Sequence, residues 1–267
     1  MKFRKLKSPA TKTIEFKLHE KIDERVYLLP VPAETTTPQW FLDMPATVDN
    51  EPVSINPSNY TIKTDPRFSD VFSLGYTVVT PYDVEIVPTK DTLPEEMKNN
   101  PTIGFKDTPA IVFAYPGLPI LTSSNYLRQA HLEPMTNCYS DVPYEWSFWF
   151  SLQTPPGYSV LITNPLNSQN LPWHTVSLVL DSDKRETHVT SVPFYLSKPA
   201  EYKIIPKGTP IAQIIPFKRD SWTRKMAPVT GNNLQTGRSS LEPLKHEGLE
   251  LPNKQYTNHI WHKKNFS

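Results

Sequence analysis

The sequence predicts a mainly β fold, a barrel or sandwich of many short strands with one or two short helices. Its 267 residues include 29 prolines and only 8 glycines, whereas the usual shares are about 5% and 7%. A proline inside a helix breaks it, but sheet edges, strand starts and turns tolerate proline. Aromatic residues make up 11% of the chain, and they favour strands. Long helices, helical bundles and coiled coils are therefore excluded.

Several classes of protein are excluded by what the sequence lacks. It contains no GxGxxG and no GxxxxGK[ST] motif, so nucleotide binding by a Rossmann or P-loop route is not expected. Cys138 is the single cysteine, which excludes an intrachain disulfide and a thiolate metal cluster. No run of 18 apolar residues and no signal peptide is present, so we expect a soluble protein of the host cytoplasm without membrane contact. The sequence leaves open whether this protein is packaged in the virion.

The N-terminal part, residues 1–60, alternates short apolar runs with prolines and is interpreted as edge strands and an extended Pro-rich arm. The core domain is assigned to residues 61–222. Its better helix candidate is DPRFSDVFSLG, residues 65–75, because Asp65 is a capping residue and Pro66 suits the first helical position. A second candidate covers residues 123–133.

The strongest strand patterns lie in residues 144–222. Alternating aromatic and aliphatic runs such as YEWSFWFSLQT, YSVLITNPL and EYKIIPKGTPIAQIIPF are separated by turns rich in proline, glycine and aspartate. Residues 223–267 carry few apolar side chains and are interpreted as an extended basic C-terminal arm. Tyr256, Ile260, Trp261 and Phe266 near its end are enough to dock a short amphipathic tail.

Charge is distributed unevenly along the chain. The formal charges sum to +3 over residues 1–40, −6 over 41–110, −2 over 111–200 and +6 over 201–267, which together give +1. Basic ends favour contact with nucleic acid or with acidic protein surfaces. Solvated charge at exposed termini explains the same pattern, because no five basic residues are consecutive.

The seven histidines of the chain are candidate metal ligands. His131 and Glu133 have the His-x-Glu spacing of a facial iron triad, which is the ligand set of a 2-oxoglutarate-dependent oxygenase. They lie, however, in the second helix candidate, where side chains two residues apart diverge by about 200°. The expectation is therefore no bound metal, with the iron oxygenase as the weaker alternative.

A pair of carboxylates is a more specific signal. Asp181 and Asp183 follow an apolar strand at i and i+2, so both side chains project from one side of the strand end. Two such acids could supply a general base and hold a metal-bound phosphate. The simpler interpretation is a polar turn between strands that is held by the aspartate side chains.

The region from LVLDSD to the KGTPIAQII run, residues 207–215, resembles the dUTPase and dCTP deaminase family. This resemblance implies a barrel of the β-clip type. It further implies that Asp181 stands where these enzymes keep the carboxylate that activates water, and that Asp83 in TPYDVEI matches an aspartate of an earlier motif. Only under this reading would Mg²⁺ be a cofactor; otherwise none is expected.

A longer stretch, with TPPGYS, NPLN, a D-x-D turn and KGTPIAQIIPFKR, resembles a family of uncharacterised proteins from tailed bacteriophages and some bacteria. That resemblance implies a phage setting and no particular activity. The polar or aromatic residues near the turns of these motifs are the binding candidates: Tyr158, Trp173, Asp181, Asp183, Lys207, Lys218 and Arg219.

Two classes of function therefore compete. The main hypothesis is a phage-encoded, non-enzymatic binding or structural protein that is virion-associated or host-interacting. Its partners would be other protein chains, either copies of itself or phage structural proteins, with nucleic acid reached through the basic ends. The alternative is a nucleotide hydrolase or deaminase that uses Asp181 as general base.

Overall fold

The computed structural model describes residues 11–18, 29–48, 60–88, 110–114, 118–119, 144–148, 150–168, 171–184, 187–188, 191–196, 203–226 and 261–266. The first strands in these ranges are β1 (Glu15–Leu18), β2 (Val31–Pro32), β3 (Tyr76–Val79), β4 (Val84–Pro88), β5 (Ala110–Ala114) and β6 (Leu118–Pro119). The later ones are β7 (Tyr144–Ser147), β8 (Phe150–Gln153), β9 (Tyr158–Thr163), β10 (Trp173–Thr175), β11 (Leu178–Asp181), β12 (Thr187–His188), β13 (Ser191–Leu196), β14 (Lys203–Ile205) and β15 (Pro210–Lys218). The helices are α1 (Gln39–Leu42) and α2 (Pro66–Phe72), with short 3-10 turns at Ala33–Thr36 and Ile62–Thr64.

The described strands form four sheets. Their strand orders are β1-β8-β12, β10-β13-β7, β11-β9-β15-β3-β2 and β14-β4-β5-β6. The mainly β class with few, short helices that the sequence predicted is confirmed. Among the described residues, no helix has the length and apolarity needed to span a bilayer.

The strands follow the predicted runs. YEWSFWFSLQT supplies β7 and β8, and the run from KIIPKG to PFK supplies β14 and β15. Proline and glycine separate them: Pro81 lies between β3 and β4, and Gly208 has a φ of 87° between β14 and β15. Only glycine adopts such a positive φ without steric cost, so this position fixes the turn.

Helix α2 begins as the sequence predicted. The Asp65 side chain accepts a hydrogen bond from the Arg67 N–H at 3.0 Å, and Pro66 occupies the first helical position. The helix ends at Phe72, three residues before Gly75, the last residue of the predicted helix segment. The second helix candidate, residues 123–133, lies outside the described residues.

The backbone divides into two compact units. The first comprises residues 1–31 and 77–219, and the second comprises residues 32–76 and 220–267. The first unit contains the main core, in which Trp146 stacks on Phe194 with ring centroids 4.0 Å apart and meets Trp173 edge-on at 5.0 Å. Burial of each large apolar side chain contributes about 1.5–3 kcal/mol, so this aromatic cluster is a main source of stability.

Candidate functional site

The predicted aspartate pair lies at one end of the five-stranded sheet. β9 pairs antiparallel with β11, with Ser159 opposite Asp181. β9 also pairs antiparallel with β15, with Tyr158 opposite Lys218. The start of β9 and the ends of β11 and β15 therefore meet at one edge, which brings together residues from three separate stretches of the sequence.

A tight turn leads into this edge. In the run TPPG, residues 154–157, the Tyr158 N–H donates to the Pro155 carbonyl at 3.2 Å, and Gly157 has a φ of 83°. Proline followed by a glycine with positive φ is typical of a type II turn. The turn directs the Gly157 N–H toward Asp183 Oδ2, to which it donates at 2.8 Å.

Arg219 connects the two aspartates. Its Nη1 lies 3.1 Å from Asp181 Oδ1, and its Nη2 donates to Asp183 Oδ2. The Arg219 backbone N–H also donates to the Gly157 carbonyl at 2.9 Å. We call Asp181, Asp183 and Arg219 the aspartate–arginine clamp. A guanidinium that binds two carboxylates forms charge-assisted hydrogen bonds with fixed geometry, so the clamp holds the strand ends together.

The same contacts favour the charged form of every member of the clamp. The Ser159 hydroxyl, which donates to Asp181 Oδ1 at 2.5 Å, is the largest cause of the lowered pKa of Asp181, followed by Arg219. The Gly157 N–H is the largest cause of the lowered pKa of Asp183, with Arg219 adding to it. The two carboxylates in turn raise the pKa of Arg219, with Asp181 the larger cause.

A layer of hydroxyl groups lies behind the clamp. Thr154 Oγ1 donates to the Tyr158 carbonyl at 3.1 Å and lies 2.9 Å from Ser182 Oγ, while the Thr154 N–H donates to the Ser182 carbonyl. Ser182 and Ser159 are fully buried. Sequence reasoning missed these residues and did not connect Arg219 with Asp181. For the hydroxyl layer, the only available signal was a serine directly after the TPPGY turn. The contact between Arg219 and Asp181 had no such signal, because it depends on strand register.

Asp83 lies at the opposite end of β15. Its Oδ1 accepts a hydrogen bond from the Lys207 N–H at 2.7 Å. In the same turn, the Gly208 N–H donates to the Thr80 carbonyl and the Thr209 N–H donates to Thr80 Oγ1. This turn precedes β15, whereas Arg219 follows it. Nine residues of strand at about 3.3 Å per residue separate the two ends by roughly 25–30 Å. The two aspartates that the dUTPase resemblance singles out therefore do not share a site within one copy of the chain.

The remaining candidates have different surroundings. Trp173 is 2% exposed and belongs to the aromatic core, and Tyr158 is half-buried at the start of β9. Lys218 and Lys207 have exposed side chains. His131 and Glu133 lie outside the described residues. Among the residues that the structure does describe, no three histidine, cysteine, aspartate or glutamate side chains cluster as metal ligands would.

Comparison with known proteins gives structural neighbours alone. No protein-family model matches the chain, and no curated protein matches it. One similar structure is a mutant dUTPase of Staphylococcus bacteriophage 80alpha with dUpNHpp, at 13% identity, a TM-score of 0.33, and coverage of 82% of this chain and 89% of the other. A second mutant of the 80alpha phage dUTPase gives 12% identity, a TM-score of 0.30, and coverage of 82% and 97%. Similarity at this level carries no information about the activity of this chain.

Proposed function

We propose that this chain is a non-enzymatic binding or structural protein, encoded by a phage and acting in the host cytoplasm or in the virion. The observation that carries the proposal is the clamp, in which Arg219 binds both carboxylates of the D-x-D turn. A general base needs a pKa near the working pH and access to the proton that it removes. An ion-paired aspartate with a lowered pKa is a weak base, so the contacts of Asp181 favour a role in the fold.

The position of Asp83 supports the same conclusion. Its carboxylate caps the turn before β15 by accepting from the Lys207 N–H. A hydrolase of the kind that the sequence resembles would bring this residue and Asp181 to one substrate. Within one copy of the chain, each aspartate instead contacts its own end of β15.

An exposed segment supplies a surface for a partner. Every residue from Phe217 to Met226 is exposed, and Trp222 and Met226 are 89% and 80% exposed. Large apolar side chains that stand in water favour a contact that covers them. Other protein chains, including further copies of this one, and nucleic acid reached through the basic C-terminal end are the partners that such a segment could bind.

The alternative function is a nucleotide hydrolase or deaminase with Asp181 as general base and Mg²⁺ as the cofactor that would hold the phosphates. One observation favours it: the Asp181 side chain is 69% exposed, so solvent reaches the carboxylate despite its bond to Arg219. Water activation at this position would require the guanidinium to release Asp181 when a substrate binds.

Turnover of dUTP and dCTP in the presence of Mg²⁺ tests the proposal. We expect neither pyrophosphate release nor deamination above the buffer rate, and no difference between the wild type and Asp181→Asn. Asp43→Asn, which changes an exposed aspartate at the end of α1, is the matched control. Turnover by the wild type that Asp181→Asn abolishes and Asp43→Asn retains would establish the enzyme instead.

A further inference from the structure

The segment from Ser221 to Met226, which we call the tryptophan arm, has an unusual surface. Its sequence is SWTRKM, with two cations and no acidic residue. It forms neither helix nor strand, and all six residues are exposed. Tryptophan is highly buried on average, so a tryptophan residue that is 89% exposed is costly to keep in water unless a ligand covers it.

The spacing of the arm suits a nucleotide strand. Trp222 and Arg224 are two residues apart, so their Cα atoms are separated by at most about 7 Å. A base stacked on the indole therefore leaves its neighbouring phosphate within reach of the guanidinium, and Lys225 can reach the next one. Aromatic side chains interleaved with cations are the combination that binds single strands without sequence preference.

Helical docking into a protein groove fits the arm less well. Trp222 and Met226 are at i and i+4, as a helix would require, but Pro228 follows two residues later. The residue before a proline is disfavoured in helical conformation, which limits such a helix to two turns or fewer. Helices that short are marginal even for good helix formers. Duplex DNA is also disfavoured, because major-groove reading needs a helix or a β-ribbon.

We propose that the tryptophan arm binds single-stranded nucleic acid, with the Trp222 indole stacked on a base and Arg224 and Lys225 paired with adjacent phosphates. This inference rests on the proposed function and names one class of partner for it. The binding is sequence-tolerant, because every base presents a face for stacking. It is also sensitive to salt, because each phosphate contact releases counterions.

Fluorescence anisotropy of the full chain with labelled oligo(dT) and oligo(rU), each about 16 nucleotides long, tests this inference. We expect saturable binding whose log K falls against log salt with a slope of about −1.4, or about −0.7 for each of two phosphates. Trp222→Ala should weaken binding about 10- to 100-fold and Trp222→Phe by less. Arg224→Ala and Lys225→Ala should each reduce the slope by about 0.7.

Matched controls are available on the same chain. Leu42→Ala removes another exposed apolar side chain, and Lys184→Ala removes an exposed cation that lies outside both basic ends of the chain; neither should change binding. A preference for one of the two oligonucleotides identifies the source of the strand. Three results would overturn the inference: no saturable binding at low salt, binding that is indifferent to Trp222→Ala, or equally tight binding of poly-glutamate or duplex DNA. Nucleotide turnover would instead overturn the proposed function, so the two failures are distinguishable.

Discussion

Asp181 and Asp183 are two residues apart and bind one guanidinium, yet their surroundings differ. The Asp181 side chain is 69% exposed and that of Asp183 is 8% exposed. Asp183 also accepts from the Gly157 N–H, so it links the TPPG turn to the end of β15. Its contacts are therefore those of a structural residue, while Asp181 lies at the rim of the same cluster.

The lowered pKa values of both aspartates predict a loss of stability in acid. A carboxylate whose pKa is lower in the folded state contributes stability above its ordinary pKa of about 3.9 and loses that contribution as pH falls through the folded value. We expect the free energy of unfolding of the wild type to fall below about pH 4. Arg219→Ala should flatten this fall, because the guanidinium lowers the pKa of both aspartates.

Denaturant unfolding measured from neutral to acid pH provides the comparison. Some acid dependence should remain in Arg219→Ala, because a hydrogen bond from Arg67 also lowers the pKa of Asp65. An unchanged pH profile in that variant would mean that the clamp does not contribute to stability in solution.

At the scale of elements, two turns with positive φ lie at the two ends of β15: the Gly208 turn precedes the strand, and the Gly157 turn contacts Arg219 after it. Gly157 and Gly208 have φ values of 83° and 87°, and an added Cβ would meet no atom within 4 Å at either position. Substitution therefore tests the backbone conformation alone. We expect Gly157→Ala and Gly208→Ala each to cost about 1–2 kcal/mol of unfolding free energy in thermal or denaturant unfolding.

Asparagine is the matched control for these turns, because it visits the left-handed region more readily than alanine. Asn167 already adopts a φ of 55° in this chain. Gly157→Asn and Gly208→Asn should therefore lose less stability than the alanine variants. Equal losses for alanine and asparagine would show that the positive φ is not the source of the cost.

At the scale of the whole molecule, residues 261–266 near the end of the chain contact residues 70 and 76 of the same compact unit. Asp70 Oδ2 accepts from Trp261 Nε1 at 2.8 Å and from Lys264 Nζ at 2.5 Å, and Phe266 meets Tyr76 edge-on at 6.0 Å. These residues include Trp261 and Phe266 of the predicted amphipathic tail. In the described part of the predicted C-terminal arm, residues 223–226 are all exposed, whereas Trp261, Lys264 and Phe266 are half-buried.

Removal of the Asp70 carboxylate should release this tail. Hydrogen bonds to charged groups contribute about 1.5–3 kcal/mol, so Asp70→Ala should accelerate tryptic cleavage after Lys263 by about tenfold or more. Asp43→Ala, at the end of α1, is the control and should leave the rate unchanged. A cleavage rate in Asp70→Ala equal to that of the wild type would show that these contacts do not hold the tail.

Local patterns predicted the elements of this fold, whereas the site depended on register. Proline and glycine positions, alternating apolar residues and the Asp65-Pro66 cap were sufficient to predict the strands of residues 144–222 and helix α2. The pairing of Arg219 with Asp181 follows from two antiparallel registers across three strands, and no short-range pattern encodes it. The separation of Asp83 from Asp181 was hidden for the same reason, since it depends on which end of β15 each residue meets.

Whether the carboxylates of the clamp serve the fold is tested most directly by a double-mutant cycle between Asp183 and Arg219. The free energy of unfolding is measured for the wild type, Asp183→Asn, Arg219→Ala and the double variant at neutral pH. A structural clamp predicts that both single variants are destabilised and that the double variant is little worse than either, because residues in contact are coupled. Strictly additive effects, or single variants as stable as the wild type, would contradict it.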